Sequence, residues 1–90
     1  MKIVQTPTFG RAVKKLHTTH KKELDNAIRA IMAAPLEGDA KVGDICGIRV
    51  SKFRMNKQVT LLAYSYREKP ATLTLLALGS HENFYRDLKK

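Results

Sequence analysis

The chain has 90 residues, of which 43% are hydrophobic and 28% charged, and its net charge is +9 from 17 basic and 8 acidic residues. This length and composition indicate one folded domain over residues 1–90 and argue against an intrinsically disordered protein. The positive charge predicts a polyanionic partner, either a nucleic acid or an acidic protein. A basic surface that only keeps the protein solvated is the alternative.

The sequence gives little indication of a disulfide, a membrane-spanning segment or a metal site. Cys46 is the only cysteine, so an intramolecular disulfide is impossible, which fits a reducing compartment. No apolar run is long enough to span a membrane and the first residues lack a signal-peptide pattern, so we expect a cytoplasmic protein without membrane contact. His17 and His20 have no partner at metal-ligand spacing, so we expect neither a metal nor a cofactor.

The first third of the chain is expected to form a strand and a helix pair. β-Branched residues favour a strand over residues 2–5. Thr6 followed by Pro7 is typical of a helix start, with threonine as the N-cap. A second helix should begin near residues 18–19, capped by one of two threonines, and stop before Pro35. The apolar residues that recur at helical spacing are Phe9, Val13 and Leu16, then Leu24, Ile28, Ile31 and Met32.

The remaining chain is expected to form three strands and a last helix. Alternating apolar residues predict a strand over 45–55, but the alternation changes phase near Ser51, which a bulge or twist would explain. Asn56-Lys57 indicates a hairpin turn. The later elements are a strand over 59–66, a strand over 71–78 and a helix over 82–90.

The order β-α-α-β-β-β-α predicts an α+β fold. The first strand should pair with an antiparallel meander formed by the three later strands. The helix pair should cover one face of this sheet. The other face should be concave and edged by the C-terminal helix.

Two cations are placed side by side on one predicted strand. Lys52 and Arg54 are two residues apart, so both should point to the same sheet face, whereas Phe53 and Met55 should point to the core. Neighbouring cations repel each other unless an anion lies between them. A phosphate suits that position, and the same pair would stabilise the charge of a phosphoryl transition state. An ordinary solvated strand face is the alternative.

An imidazole and a phenol are placed together at the start of the last predicted helix. His81 and Tyr85 are four residues apart and therefore share a helical face. Cleavage of RNA by its own 2′-hydroxyl needs a base and an acid, and imidazole suits that work at neutral pH. Tyr85 could stack on a base or orient a phosphate. Alternatively, His81 is a polar helix-start residue and Tyr85 packs the helix onto the sheet.

Other basic residues could hold an RNA backbone, although most are expected to be ordinary surface residues. They are Arg49, Lys57, Arg67, Lys69, Arg86, Lys89 and Lys90. We assign the first three, Arg49, Lys57 and Arg67, to RNA binding. The sequence has no glycine-rich phosphate loop, nucleophile elbow or acidic cluster suited to magnesium, which favours metal-independent chemistry.

The order of elements and two segments resemble the RelE/ParE superfamily of bacterial type II toxins. The segments are 47–55, Gly-Ile-Arg-Val-Ser-Lys-Phe-Arg-Met, and 78–81, Leu-Gly-Ser-His. The similarity covers essentially the whole chain. It implies a toxin that cuts mRNA in the ribosomal A site, with the ribosome, the mRNA and a cognate antitoxin as partners. Operator DNA would be contacted only through the antitoxin complex.

The same resemblance implies roles for four residues. Lys52 and Arg54 match paired basic residues on the corresponding RelE strand. His81 matches the terminal catalytic histidine of the YafQ branch, and Tyr85 matches the aromatic residue that follows it there. These four residues are therefore the predicted catalytic set.

The chain also departs from the superfamily pattern. Thr60 or Leu61 stands about where RelE carries an arginine, and no histidine lies between His20 and His81, whereas the YafQ branch has additional ones. The general base is therefore unassigned, although Lys52 could serve. These departures keep open the ParE branch, which inhibits DNA gyrase and is not a nuclease. A degenerate toxin kept for antitoxin binding or autoregulation is a third possibility.

Overall fold

The computed structural model describes residues 1–41 and 47–80. The elements in these ranges are β1 (Lys2–Gln5), α1 (Pro7–Lys14), α2 (Thr18–Ala33), β2 (Asp39–Ala40), β3 (Arg49–Met55), β4 (Gln58–Glu68) and β5 (Ala71–Gly79). The predicted α+β class is confirmed, and the short strand β2 lies between α2 and β3, where the sequence predicted no element. The last helix, predicted over residues 82–90, lies outside the described residues.

The strands form a sheet in the order β1-β5-β4-β3-β2. β1 runs parallel to β5, with Ile3 opposite Leu73, and the other neighbours are antiparallel. The first strand therefore pairs with the meander, as predicted. This arrangement places β4 at the centre of the sheet, between β3 and β5.

The two helices begin in different ways. Thr6 is the N-cap of α1, where its Oγ1 accepts a hydrogen bond from the Phe9 N–H at 3.1 Å, and Pro7 opens the helix as predicted. α2 begins after His17, whose side chain makes no capping hydrogen bond. The prediction that a threonine caps this helix is wrong, because Thr18 is already its first helical residue.

Buried apolar residues form two clusters on opposite faces of the sheet. We call the face covered by α1 and α2 the helix face and the opposite surface the far face. Leu61 and Leu62 of β4 are fully buried and belong to different clusters, so β4 is covered on both faces at its centre. The helix-face cluster contains Phe9, Leu24, Ile31, Leu62, Tyr64, Leu73 and Leu75, and the far-face cluster contains Val50, Leu61, Ala63 and Ala77.

β3 pairs with β4 in an unbroken register from Arg49 to Met55, so the bulge expected near Ser51 is wrong. The change in apolar phase has a different cause. Val50, Lys52 and Arg54 alternate regularly onto the far face, which is buried at Val50 and exposed at the two cations. The apolar pattern therefore records a change in burial along a regular strand.

The irregularity in the sheet lies in β5. The register of β4 and β5 shifts between Ala63 and Tyr64, which leaves Leu76 without a partner. Leu76 and the next residue, Ala77, both pack on the far-face cluster, as expected for one inserted residue. The carbonyl oxygen of Leu76 accepts a hydrogen bond from Thr6 Oγ1 at 2.8 Å. The residue that caps α1 therefore also provides a hydrogen-bond partner for the bulged residue.

Candidate functional site

The structure places Lys52 and Arg54 on the far face, where both side chains are exposed. Their partners in β4 are Leu61 and Val59. Phe53, between them, packs against the helix-face cluster, which fixes the orientation of the strand. Two residues of strand separate the cations by about 7 Å along β3, a spacing that one phosphate group could bridge through its oxygens.

The electrostatic surroundings of this pair favour an external anion. Within residues 1–41 and 47–80, neither Lys52 nor Arg54 forms an ion pair with an acidic side chain. Leu61, which lies beside Lys52 in the sheet, is fully buried and offers no counter-charge. A negatively charged ligand placed here would meet two cations that no described residue neutralises.

Thr60 and Leu61 add no cation to this surface. Thr60 is only 6% exposed and lies on the helix face, and Leu61 belongs to the far-face cluster. Val59, opposite Arg54, is 55% exposed and apolar. The strand next to Lys52 and Arg54 therefore presents an apolar surface where the superfamily resemblance would place an arginine.

The end of β5 lies in the same row of the sheet as Lys52. Leu61 pairs with Lys52 on one side and with Gly79 on the other. Two interstrand spacings separate the Lys52 and Gly79 backbones by about 10 Å. His81 and Tyr85 lie outside the described residues, and the strand that precedes them in the chain ends two strands away from Lys52, in the same row.

Arg49 lies on the other side of the sheet from the cation pair. It is opposite Tyr64, and its Nη1 donates hydrogen bonds to the carbonyl oxygens of Leu36 and Gly38, both at 2.9 Å. These contacts hold the segment that follows α2. Arg49 therefore binds two backbone carbonyl groups and does not lie beside Lys52.

The other two predicted RNA-binding residues lie at opposite ends of the sheet. Lys57 is exposed at the tip of the β3–β4 hairpin, three residues beyond Arg54. Arg67 is exposed on the far face at the other end of β4. It is six residues from Leu61, the partner of Lys52, and therefore about 20 Å from that cation. Of the predicted RNA-binding set, only Lys57 is near the cation pair.

Tyr64 makes a contact that the sequence did not suggest, and this contact holds the segment after α2. Its hydroxyl donates to the Pro35 carbonyl at 2.7 Å and accepts from the Gly38 N–H at 3.1 Å. Burial raises the pKa of Tyr64 above its ordinary value of 10.0, although the Gly38 hydrogen bond and the charge of Arg49 oppose that shift. A tyrosine within an apolar strand needs a hydrogen-bond partner for its hydroxyl. This requirement is the feature of the sequence that could have indicated the contact.

The part of the chain that the structure describes contains neither a candidate metal-ligand cluster nor a candidate membrane-spanning helix. No group of three or more His, Cys, Asp or Glu residues in 1–41 and 47–80 is placed to hold a metal ion. Neither helix in these ranges is long and apolar enough to cross a lipid bilayer.

One protein-family model matches the chain over residues 3–89, and it describes the ParE-like toxin of type II bacterial toxin-antitoxin systems. The match includes β3, which carries the cation pair, its neighbour β4, and the segment after β5. Among curated protein sequences, none is significantly similar to the chain.

Several solved structures share the fold. The toxin of the intact E. coli RelBE toxin-antitoxin complex is 14% identical, with a TM-score of 0.71 over 90% of this chain and 96% of that one. A variant of E. coli RelE in the free state is 14% identical, with a TM-score of 0.73 over 97% and 87%. The YoeB/ParE toxin from Agrobacterium tumefaciens is 17% identical, with a TM-score of 0.71 over 90% and 99%. At these identities the likeness concerns the fold.

Proposed function

The chain belongs to the ParE-like toxins of type II bacterial toxin-antitoxin systems, and we propose that it acts as a ribosome-dependent endoribonuclease that cuts mRNA in the A site and inhibits translation. The observation that carries this proposal is the row formed by Lys52, Leu61 and Gly79. It places the exposed Lys52, with Arg54 two residues further along β3, in line with the end of the strand that precedes His81 in the chain. A proton donor beside these cations would complete the groups that RNA cleavage needs, and His81 is the residue that we propose for that role.

The proposed reaction needs only side-chain chemistry. The 2′-oxygen of a ribose loses its proton to a base and bonds to the adjacent phosphorus, and the bond from phosphorus to the 5′-oxygen breaks. Lys52 and Arg54 stabilise the added negative charge on the phosphate oxygens. His81 gives a proton to the departing 5′-oxygen, and Tyr85 positions the substrate. The products are a 2′,3′-cyclic phosphate and a 5′-hydroxyl.

We further propose a cognate antitoxin as the partner that controls this activity. Support comes from E. coli RelE, which was solved in complex with its antitoxin RelB. The net charge of +9 and the exposed Lys52 and Arg54 favour an antitoxin that presents acidic side chains to the far face. Binding there would both neutralise the cations and prevent RNA from reaching them.

Inhibition of DNA gyrase is the second candidate function. The family description names ParE-like toxins, which favours it. The buried Thr60 and Leu61 favour it as well, because they leave the cation pair without a third basic residue from β4. Under this proposal the exposed cations would form part of a docking surface and no RNA bond would be cut.

Pulse labelling after induction separates the two functions. Cells expressing the chain without antitoxin are given labelled methionine or labelled thymidine at intervals. We expect methionine incorporation to fall first, and the K52A/R54A variant to restore it. K69A removes a cation from the β4–β5 turn, far from the pair, and should remain as toxic as the wild type. Early loss of thymidine incorporation with continued translation would identify a gyrase inhibitor, and harmless expression a degenerate toxin.

A further inference from the structure

A cavity of about 700 Å³ lies between the helix pair and the β3–β4 hairpin. Its walls come from α1, the start of α2, the hairpin and the end of β5. Met55 and Leu78 line it, and Leu78 packs against the helix-face cluster. The cavity therefore opens on the helix side of the sheet, and Lys52 and Arg54 do not line it. Val59, the partner of Arg54, and Gly79 also line it, so the cavity adjoins the site proposed for catalysis.

One wall of this cavity is cationic. Arg11 and Lys15 are four residues apart at the end of α1, so they share one side of the helix, and His20 adds an imidazole from the first turns of α2. Arg11 Nη2 donates to Thr8 Oγ1 at 3.3 Å, which orients the guanidinium. No aspartate or glutamate of the described ranges lines the cavity. Glu23 accepts a hydrogen bond at 3.3 Å from the N–H of Asn56, a residue that does line the cavity.

The other surfaces of the cavity are apolar and amide-rich. Leu16, Met55 and Leu78 provide apolar surface from the segment after α1, from β3 and from β5. Asn56 and Gln58 line the hairpin side, and each carries a primary amide that offers both a donor and an acceptor. Cations, an apolar surface and two amides are thus gathered around one space of a size typical of small-ligand pockets.

We propose that this cavity binds one nucleotide of a single-stranded RNA. Arg11 and Lys15 would hold the phosphate, the base would lie on Met55 and Leu78, and the amides of Asn56 and Gln58 would bond to the base edge. The apolar surface of Met55 and Leu78 beside the cations favours a nucleotide over a peptide rich in carboxylates, because the base can cover these side chains while the phosphate meets the cations. The inference goes beyond the proposed function and does not require that the protein cleaves RNA.

Adenosine 5′-monophosphate is a suitable probe because it contains a base, a ribose and a phosphate. The 90-residue chain carrying K52A/R54A, labelled with ¹⁵N, would be titrated with it and followed by amide chemical shifts. The double substitution removes the cations of the far face, so any binding reports on the remaining surface. We expect saturable shifts at Asn56 and Gln58.

Two further variants test the cationic wall. Adding R11A/K15A should weaken binding by about tenfold or more, because two charge-assisted contacts are lost. Adding K14A removes an exposed α1 cation that does not line the cavity, and it should leave the affinity within about twofold. Circular dichroism spectra equal to that of the parent would show that these variants are folded.

The relative affinities of competing ligands show which chemical class binds in the cavity. Adenosine 5′-monophosphate should bind more tightly than inorganic phosphate, adenosine or a hexaglutamate peptide. The proposal is overturned if the nucleotide causes no shifts at the hairpin or if K14A weakens binding as much as R11A/K15A. It is also overturned if phosphate or the peptide binds as tightly as the nucleotide. None of these results bears on cleavage at Lys52 and Arg54, which the parent variant lacks.

Discussion

Lys52 and Gly79 lie in one row of the sheet, paired with Leu61 from its two sides. This row connects the exposed cations of β3 with the end of β5, from which the chain continues to His81. A shift of one residue in either register would turn Lys52 to the helix face or move the end of β5. The contacts that fix these registers therefore affect the geometry of the candidate site, even when they lie far from it.

The hydroxyl of Thr6 is one such contact, because it bonds both to the Phe9 N–H and to the Leu76 carbonyl at the bulge. Replacing Thr6→Val removes both hydrogen bonds with little change in shape. We expect the free energy of unfolding to fall by about 2 kcal/mol, from a lost helix cap and an unpaired carbonyl. Urea unfolding measures this loss, and Thr6→Ser is the control that should retain most of the stability. Equal loss in both variants would contradict the role of the hydroxyl.

Gly38 and Tyr64 are predicted to be energetically coupled. A Cβ atom at Gly38 would collide with the Tyr64 hydroxyl and would come within 3.0 Å of two ring carbons. Gly38→Ala should therefore destabilise the fold by about 2 kcal/mol, and Tyr64→Phe by about 1–3 kcal/mol through its lost hydrogen bonds. In the Tyr64→Phe background, Gly38→Ala should cost less because the nearest clashing atom is gone. A double-mutant cycle measures this coupling, and strict additivity would contradict it.

The buried hydroxyl of Tyr64 also predicts a pH dependence. Burial raises the pKa of Tyr64 above 10.0, so the folded state keeps this proton to higher pH than the unfolded state. The resulting stability is present below the ordinary tyrosine pKa and is lost as the pH rises through the folded value. Unfolding free energies should therefore fall more steeply above pH 10 in the wild type than in Tyr64→Phe. Parallel pH profiles of the two proteins would show that Tyr64 does not contribute.

The β3–β4 hairpin is closed by two residues with positive φ, 54° at Asn56 and 63° at Lys57. Both positions of this two-residue turn favour glycine, but asparagine tolerates positive φ much better than lysine does. We expect Lys57→Gly to stabilise the protein by up to about 1 kcal/mol, with Asn56→Gly giving a smaller gain. Thermal unfolding measures both, and a larger gain at Asn56 would contradict the strain assigned to Lys57.

Local patterns predicted the elements of the fold well. The Thr6-Pro7 helix start, the Asn56-Lys57 turn and the shared face of Lys52 and Arg54 each depend on residues close together in sequence. The expected bulge near Ser51 was wrong because apolar periodicity reports burial, and burial changes along β3 while its backbone stays regular.

Long-range contacts were not predictable in the same way. Arg49 is as basic as Lys57 in the sequence, yet its guanidinium binds carbonyl groups of the segment after α2. That role depends on where Gly38 and Tyr64 meet in space, 26 residues apart in the chain. The cavity beside α1 likewise joins residues from the first helix and from the β3–β4 hairpin, which only the folded sheet brings together.

The central claim is tested most directly by cleavage of mRNA on ribosomes programmed with a known A-site codon, followed by primer extension. We predict a cut within that codon by the wild type. K52A/R54A should cut at least about 100-fold more slowly, because groups that stabilise transition-state charge contribute this much, whereas K69A should cut like the wild type. Intact mRNA with a wild-type protein that inhibits gyrase, or equal cutting by K52A/R54A, would contradict the account.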